Sequence, residues 1–138
     1  MFHIKQLELV HWDYWRRFNL PLDAQIITIV GPNGSGKTTL LDALRTLFGL
    51  RCSGKRDFRR YVRRANRSFA WIRAVVANKP GSTGKRPFFP CLRDEVTLAC
   101  RIRRAGGDWT RDYAIADGDI SIETLEANAD KVVEWVGY

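Results

Sequence analysis

A chain of 138 residues with a 45% hydrophobic content is one globular domain or part of one, with no apolar stretch long enough to span a bilayer. The net charge is +8 and unevenly placed: residues 51–111 hold 17 Lys/Arg against 4 Asp/Glu, and residues 112–138 hold 1 against 7. That asymmetry points to a polyanionic partner for the middle of the chain, with the acidic tail a solvated face or a surface that meets basic groups, and no membrane partner is expected.

In chain order, residues 4–11 read as a first strand. Residues 12–18 form an aromatic and basic turn, and residues 19–22 lead into a short apolar, β-branched run at 25–30 that reads as a buried parallel strand. The next nine residues, Gly31, Pro32, Asn33, Gly34, Ser35, Gly36, Lys37, Thr38 and Thr39, fit the pattern G-x-x-x-x-G-K-[ST]. Residues 39–48 read as a helix, and Gly49 suits its C-terminal stop. Strand, glycine loop and helix are the surroundings in which this pattern grips the phosphates of a nucleoside triphosphate.

Each position in the loop then has a physical role. Glycines let successive backbone N–H groups turn inward, and the helix N-terminus adds partial positive charge. The phosphate-binding set is Asn33, Gly34, Ser35, Gly36, Lys37, Thr38 and Thr39, with a nucleoside triphosphate as the expected ligand. Lys37, the expected catalytic residue, reaches the β- and γ-phosphates as a point charge. The Thr38 hydroxyl is a hard oxygen ligand for Mg²⁺, and Thr39 reaches the α-phosphate.

Beyond the loop, residues 55–67 make helical sense. Phe58, Tyr61, Val62 and Ala65 share one apolar face, while Arg56, Arg60, Arg63 and Arg67 line another with Arg59 and Arg64 at its flanks. Arginines at this density neutralise several phosphates, giving sequence-independent contact with a DNA backbone; a solvated face or a dock for an acidic subunit is the plainer alternative. Residues 69–77 read as a strand, and 78–90 as a basic loop punctuated by proline and glycine. Residues 95–104 alternate, with Val96, Leu98, Cys100 and Ile102 on one face and Thr97, Ala99, Arg101 and Arg103 on the other, the mark of a half-buried antiparallel strand. A turn at 106–108 sends 109–116 back as a hairpin, and the apolar spacing of Ile122, Leu125, Ala129, Val132, Val133 and Val136 predicts a helical tail.

Several residues invite a stronger reading. In the 12–18 turn, Trp12 and Trp15 read as minor core, while Arg16 or Arg17 is a candidate contact to a base or ribose. His3 and His11 have no third ligand nearby and take no metal role. Cys52, Cys91 and Cys100 contain no Cys-x-x-Cys pair and read as thiols of a reducing, cytoplasmic setting, and residues 1–8 lack the apolar run of a secretion signal.

The run from Ile26 to Leu44, with Gly31, Pro32, Asn33, Gly34, Ser35, Gly36, Lys37, Thr38 and Thr39 followed by Leu41, Asp42 and Ala43, resembles the N-terminal lobe of SMC-like ATPase heads, the group of SMC, RecF and RecN proteins. The resemblance implies an α/β P-loop fold of ABC/SMC type. Its expected parts are strands, loop and first helix over 1–50, a basic helix over 51–67, antiparallel strands over 68–118 and a helical exit over 119–138. It also implies ATP and Mg²⁺, a C-terminal lobe of the same head, a second head across the nucleotide, DNA, and possible non-SMC subunits. DNA repair or antiviral defence, as in a Lamassu-type subunit, is the implied setting, in the cytoplasm at the nucleoid. Such heads hydrolyse ATP with a Q-loop glutamine, a signature sequence and a Walker B aspartate with its glutamate. The only glutamines here are Gln6 and Gln25, both before the loop, and Asp94 and Glu95 stand at the start of a strand. The expectation is therefore an N-lobe that binds nucleotide and needs another lobe to hydrolyse it. A nucleotide-sensing DNA-binding module and an ABC transporter ATPase are the alternatives.

Overall fold

The computed structural model of the chain describes residues 3–21, 37–49, 57–89, 91–127 and 134–136, in backbone alone for 37, 38 and 134–136. The strand expected at 25–30, the loop residues Asn33, Gly34, Ser35 and Gly36, Arg56, and residues 128–133 of the expected helical tail lie outside the described residues.

Alternating apolar and polar residues build the sheet. The strands are β1 (Ile4–Trp12), β2 (Trp15–Pro21), β3 (Phe69–Ala77), β4 (Glu95–Ala105), β5 (Asp108–Asp117) and β6 (Glu134–Val136). They pair in the order β2-β1-β3-β4-β5-β6, every pairing antiparallel. The helices are α1 (Lys37–Leu47), α2 (Phe58–Ala65) and α3 (Ile122–Ala127). Among the described residues no helix is long and apolar enough to cross a membrane.

The period of two divides the sheet into two faces. Leu7, Leu9, Ile72, Ala74, Val96, Leu98, Cys100 and Ile102 point to the face that receives Leu40, Ala43 and Leu47 of α1 and Phe58, Tyr61 and Val62 of α2. Trp71, Ala99, Ala114 and Ala116 point the other way, against Ile122 and Leu125 of α3. One backbone feature breaks the alternation. His11 adopts a left-handed conformation (φ 53°), and Trp12 joins the α1 and α2 side although Val10 packs on the opposite one. Gly49 (φ 72°) ends α1 as expected, its N–H donating to Thr46 O at 3.1 Å. Gly106 (φ 62°) makes the tight turn between β4 and β5.

Two expectations are corrected. The face of β4 expected to meet solvent is covered: Thr97 is 1% exposed and Ala99 2%. The cause is α3 and the turn before it, where Thr97 Oγ1 donates to Gly118 O (2.7 Å) and accepts from Ile120 N (2.9 Å). The tail is also only partly helical. After α3 the chain returns as β6, pairing Val136, Trp135 and Glu134 with Tyr113, Ala114 and Ile115 of β5. Without a partner, that stretch of β5 would be a sheet edge with unpaired backbone groups.

Buried charge enters the α3 face around Arg73 and Glu8. Arg73 on β3 is 5% exposed and Glu8 on β1 is likewise 5% exposed. Arg73 reaches Glu8 (3.4 Å), the carboxylate of Asp119, and Ile120 O (2.6 Å). Glu8 also accepts from Arg17 Nε at 2.9 Å, and Arg17 reaches on to Glu123 of α3 at 2.8 Å. The cluster clamps the 118–121 turn and α3 to the sheet. Arg73→Ala deletes the central donor of a buried ionic group, so unfolding stability should fall by about 3 kcal/mol or more. Urea titration would show this as a lower midpoint at an unchanged slope.

Candidate functional site

The site begins at the N-terminus of α1, whose first two residues are Lys37 and Thr38. Helix starts leave backbone N–H groups without intrahelical partners and carry partial positive charge. No acidic residue occupies the first turn of α1, so nothing within that turn neutralises the charge. This suits an anionic ligand and Lys37 beside it.

Three aromatic side chains hold this helix, each from a different element. Trp12 at the end of β1 donates its Nε1–H to Thr39 O at 3.1 Å, in the first turn of α1. Tyr113 of β5 donates its hydroxyl to Thr46 O at 2.9 Å, in the last turn. Between them lies Asp42, a carboxylate with 0% exposure. It accepts from the Tyr61 hydroxyl of α2 and from Arg45 Nη1 (2.8 Å) one turn along. Trp12 and Tyr61 stack at 4.7 Å between ring centroids, and Asp13 N donates to Tyr61 O at 3.0 Å. Trp12 is thus core, as expected, and Trp15 is half-buried against Phe18 at 4.7 Å.

The turn that follows Trp12 forms one wall of an open cleft of about 300 Å³, lined by His11, Tyr14, Trp15, Arg16, Arg64 and Arg67 among others. Trp12, which reaches the first turn of α1, stands between His11 and Asp13 of this lining in the chain. The two arginines expected as base or ribose contacts separate here. Arg16 is exposed and lines the cleft. Arg17 is committed to Glu123 and Glu8, whose hydrogen bonds raise its pKa above the ordinary value; in return Arg17 holds Glu123 below its own. His11 Nδ1 lies 3.1 Å from Phe69 O, the contact of a structural histidine.

The basic helix forms as its sequence predicts. Asp57 caps it, accepting from Arg59 N at 2.9 Å, and Asn66 closes it in the left-handed region (φ 54°). Phe58, Tyr61 and Val62 are buried, so the arginines face outward. They are not equivalent. Arg59 is bound to Asp108 (2.8 Å) and Asp57 (3.1 Å), and Arg64 to Asp13 (3.2 Å). The Arg59 hydrogen bond holds the Asp108 carboxyl below its ordinary pKa. Arg60, Arg63 and Arg67 are exposed and make no ion pair among the described residues.

Sequence reasoning missed a second basic element beside the helix. The β4–β5 hairpin comes back alongside α2 through the Arg59–Asp108 pair, and Arg104 N donates to Ser68 O at 3.0 Å, next to Arg67. Arg103 and Arg104 thereby join the exposed edge that Arg67 begins. Strand alternation gave the outward face of Arg103, but adjacency to the basic helix depends on the hairpin's register. Among the cysteines, Cys100 is buried and desolvation pushes its thiol up to about 12, which leaves it no reactive role near neutral pH.

Tyr61→Phe keeps the ring on Trp12 and removes one donor from a fully buried carboxylate. Unfolding stability should drop by about 1–3 kcal/mol. Thermal or urea unfolding, with near-ultraviolet circular dichroism unchanged in the native state, would isolate the hydroxyl's share.

Residues 4–55 match the family described as the P-loop containing region of AAA domain. The chain is also 43% identical over 84 residues to the chromosome partition protein Smc of Synechococcus sp., a match that takes in 60% of this chain and 6% of that protein. The chain is thus similar to P-loop proteins over its first residues and to a small part of the length of an Smc protein.

Proposed function

We propose that this chain is the ATP-binding N-lobe of a DNA-associated ATPase head of SMC type. Asn33, Gly34, Ser35, Gly36, Lys37, Thr38 and Thr39 hold the phosphates and Thr38 supplies an oxygen to Mg²⁺. The observation that carries this is the α1 start: a helix N-terminus without acidic neutralisation, directly after a glycine-rich sequence, fastened through Thr39 to the buried Trp12 of β1. Bound Mg²⁺ would neutralise charge on the phosphates. The chain's own part is to bind and orient: backbone N–H groups and Lys37 take the phosphates, and Arg16 with Trp15 and Tyr14 flanks the base side. Hydrolysis uses groups from a C-terminal lobe, and a second head closes the site across the nucleotide.

ATP binding should be lost in Lys37→Ala, measured by calorimetry or a fluorescent ATP analogue. Turnover should appear only when a C-terminal lobe of the same head is supplied. Turnover by this chain alone that survives Lys37→Ala would mark a contaminant. No turnover with the lobe present would favour a nucleotide sensor.

The same reading places a DNA backbone on the outward arginines. Arg60, Arg63 and Arg67 are the members of the expected set that are exposed and make no ion pair among the described residues, and Arg103 and Arg104 extend their edge. Replacing Arg60, Arg63 and Arg67 together by alanine should weaken duplex binding uniformly across sequences. The slope of log affinity against log salt should also shrink by up to about 3, roughly one unit for each phosphate that is no longer neutralised. Arg59→Ala should change the slope less, because its guanidinium is already held by Asp108 and Asp57.

A further inference from the structure

Next to the arginine edge, the sheet face that carries α3 has an uncovered end. There β3 and β4 place Phe69 opposite Arg103 and Trp71 opposite Arg101, two successive aromatic–arginine rungs on one face. An open groove of about 480 Å³ lies over them, lined by Ser68, Phe69, Trp71, Arg101, Arg103, Arg104 and Glu126. Trp71 is its floor: the ring is 1% exposed, the Arg101 guanidinium stands 5.9 Å from its centroid, and its Nε1–H donates to Glu126 Oε1 at 2.9 Å. Phe69 is the accessible ring. It is 38% exposed and braced by His11 in an edge contact at 4.7 Å. Asp112 accepts from Arg101 (3.3 Å) and Arg103 (3.0 Å), which fixes both guanidiniums beside the groove.

A duplex backbone does not need such a lining. It asks for cations on a rail, and its bases are stacked out of reach. An exposed aromatic ring, an apolar floor and a carboxylate wall are useless to phosphate, and Glu126 repels it. The same parts suit an unpaired base: Phe69 offers a face for stacking, Glu126 accepts from an exocyclic amino group, and Arg104 takes a flanking phosphate.

We infer that this groove binds unpaired DNA, holding an amino-bearing base against Phe69, so that the chain engages a single-stranded stretch or end in addition to duplex backbone. The inference rests on the DNA-binding reading of the arginine edge and deepens it by naming the DNA structure.

The test is fluorescence anisotropy with the 138-residue chain and three probes of about 20 nucleotides: a deoxycytidine homopolymer, an abasic strand of equal charge, and a duplex. The homopolymer should bind more tightly than the abasic strand. Phe69→Ala should weaken it by about tenfold while leaving the abasic strand and the duplex unchanged. Phe69→Tyr, which keeps the ring, should restore binding and so excludes a folding defect. Equal affinity for homopolymer and abasic strand, insensitive to Phe69→Ala, would overturn the inference while duplex binding keeps the backbone reading. Binding of none of the three probes would overturn both.

Discussion

A carboxylate with no exposure sits in the middle of the helix that follows the glycine loop, and much of the described structure is arranged around answering it. An ionised or unpaired Asp42 in an apolar layer would cost several kcal/mol. Tyr61 and Arg45 supply its donors. Tyr61 has to come from α2, so α2 is pulled against α1, and its ring then stacks on Trp12, which donates to Thr39 at the helix start. One buried charge therefore links β1, α1 and α2. Tyr113 adds β5 from the far end of the same helix. The result is a helix held along its length from several directions, with Trp12 at its first turn, Tyr61 at its middle and Tyr113 at its last turn.

The second constraint is that both sheet faces are covered, by helices of unequal size. α1 and α2 bring large apolar residues to one face and allow leucine, isoleucine and valine there. α3 is six residues long and brings two, Ile122 and Leu125. On that face β4 and β5 carry small residues, Ala99, Ala114 and Ala116, and the remainder is filled by the Arg73 cluster and the Trp71–Glu126 bond. A short helix cannot cover a whole sheet, so the face is left open at the end where β3 starts. The groove beside Phe69 is a geometric consequence of that mismatch.

Much of this was legible beforehand, for physical reasons. Strand periodicity placed β3 and the β4–β5 hairpin, because the side-chain repeat and the glycine turn are local properties. The amphipathic pattern placed α2, with Phe58, Tyr61 and Val62 inward. What sequence could not supply was non-local. Thr97 and Ala99 look like a solvent face until α3 is known to fold over them. The Ile122 to Val136 spacing suits a helix, yet Glu134–Val136 serve the unfilled edge of β5 instead. Arg16 and Arg17 are neighbours in sequence and differ only because Glu8 and Glu123 stand beside one of them.

The charge count shows the same gap between composition and surface. Residues 51–111 are strongly basic, yet many of those cations are spoken for at close range. Arg73 is buried in its ionic cluster, Arg86 holds Asp94 and the neck of the 78–94 loop, Arg101 and Arg103 share Asp112, and Arg59 and Arg64 have their aspartates. A guanidinium already bonded to a carboxylate adds little field at a distance, since the pair is nearly neutral and salt screens the rest. The attractive edge beside α2 is accordingly made by outward cations, Arg60, Arg63, Arg67 and Arg104, and these come from two segments that lie far apart in sequence. The Arg59–Asp108 pair joins those elements, so an arginine that looks like a DNA contact in sequence is better understood as the brace that brings the exposed ones to a single edge.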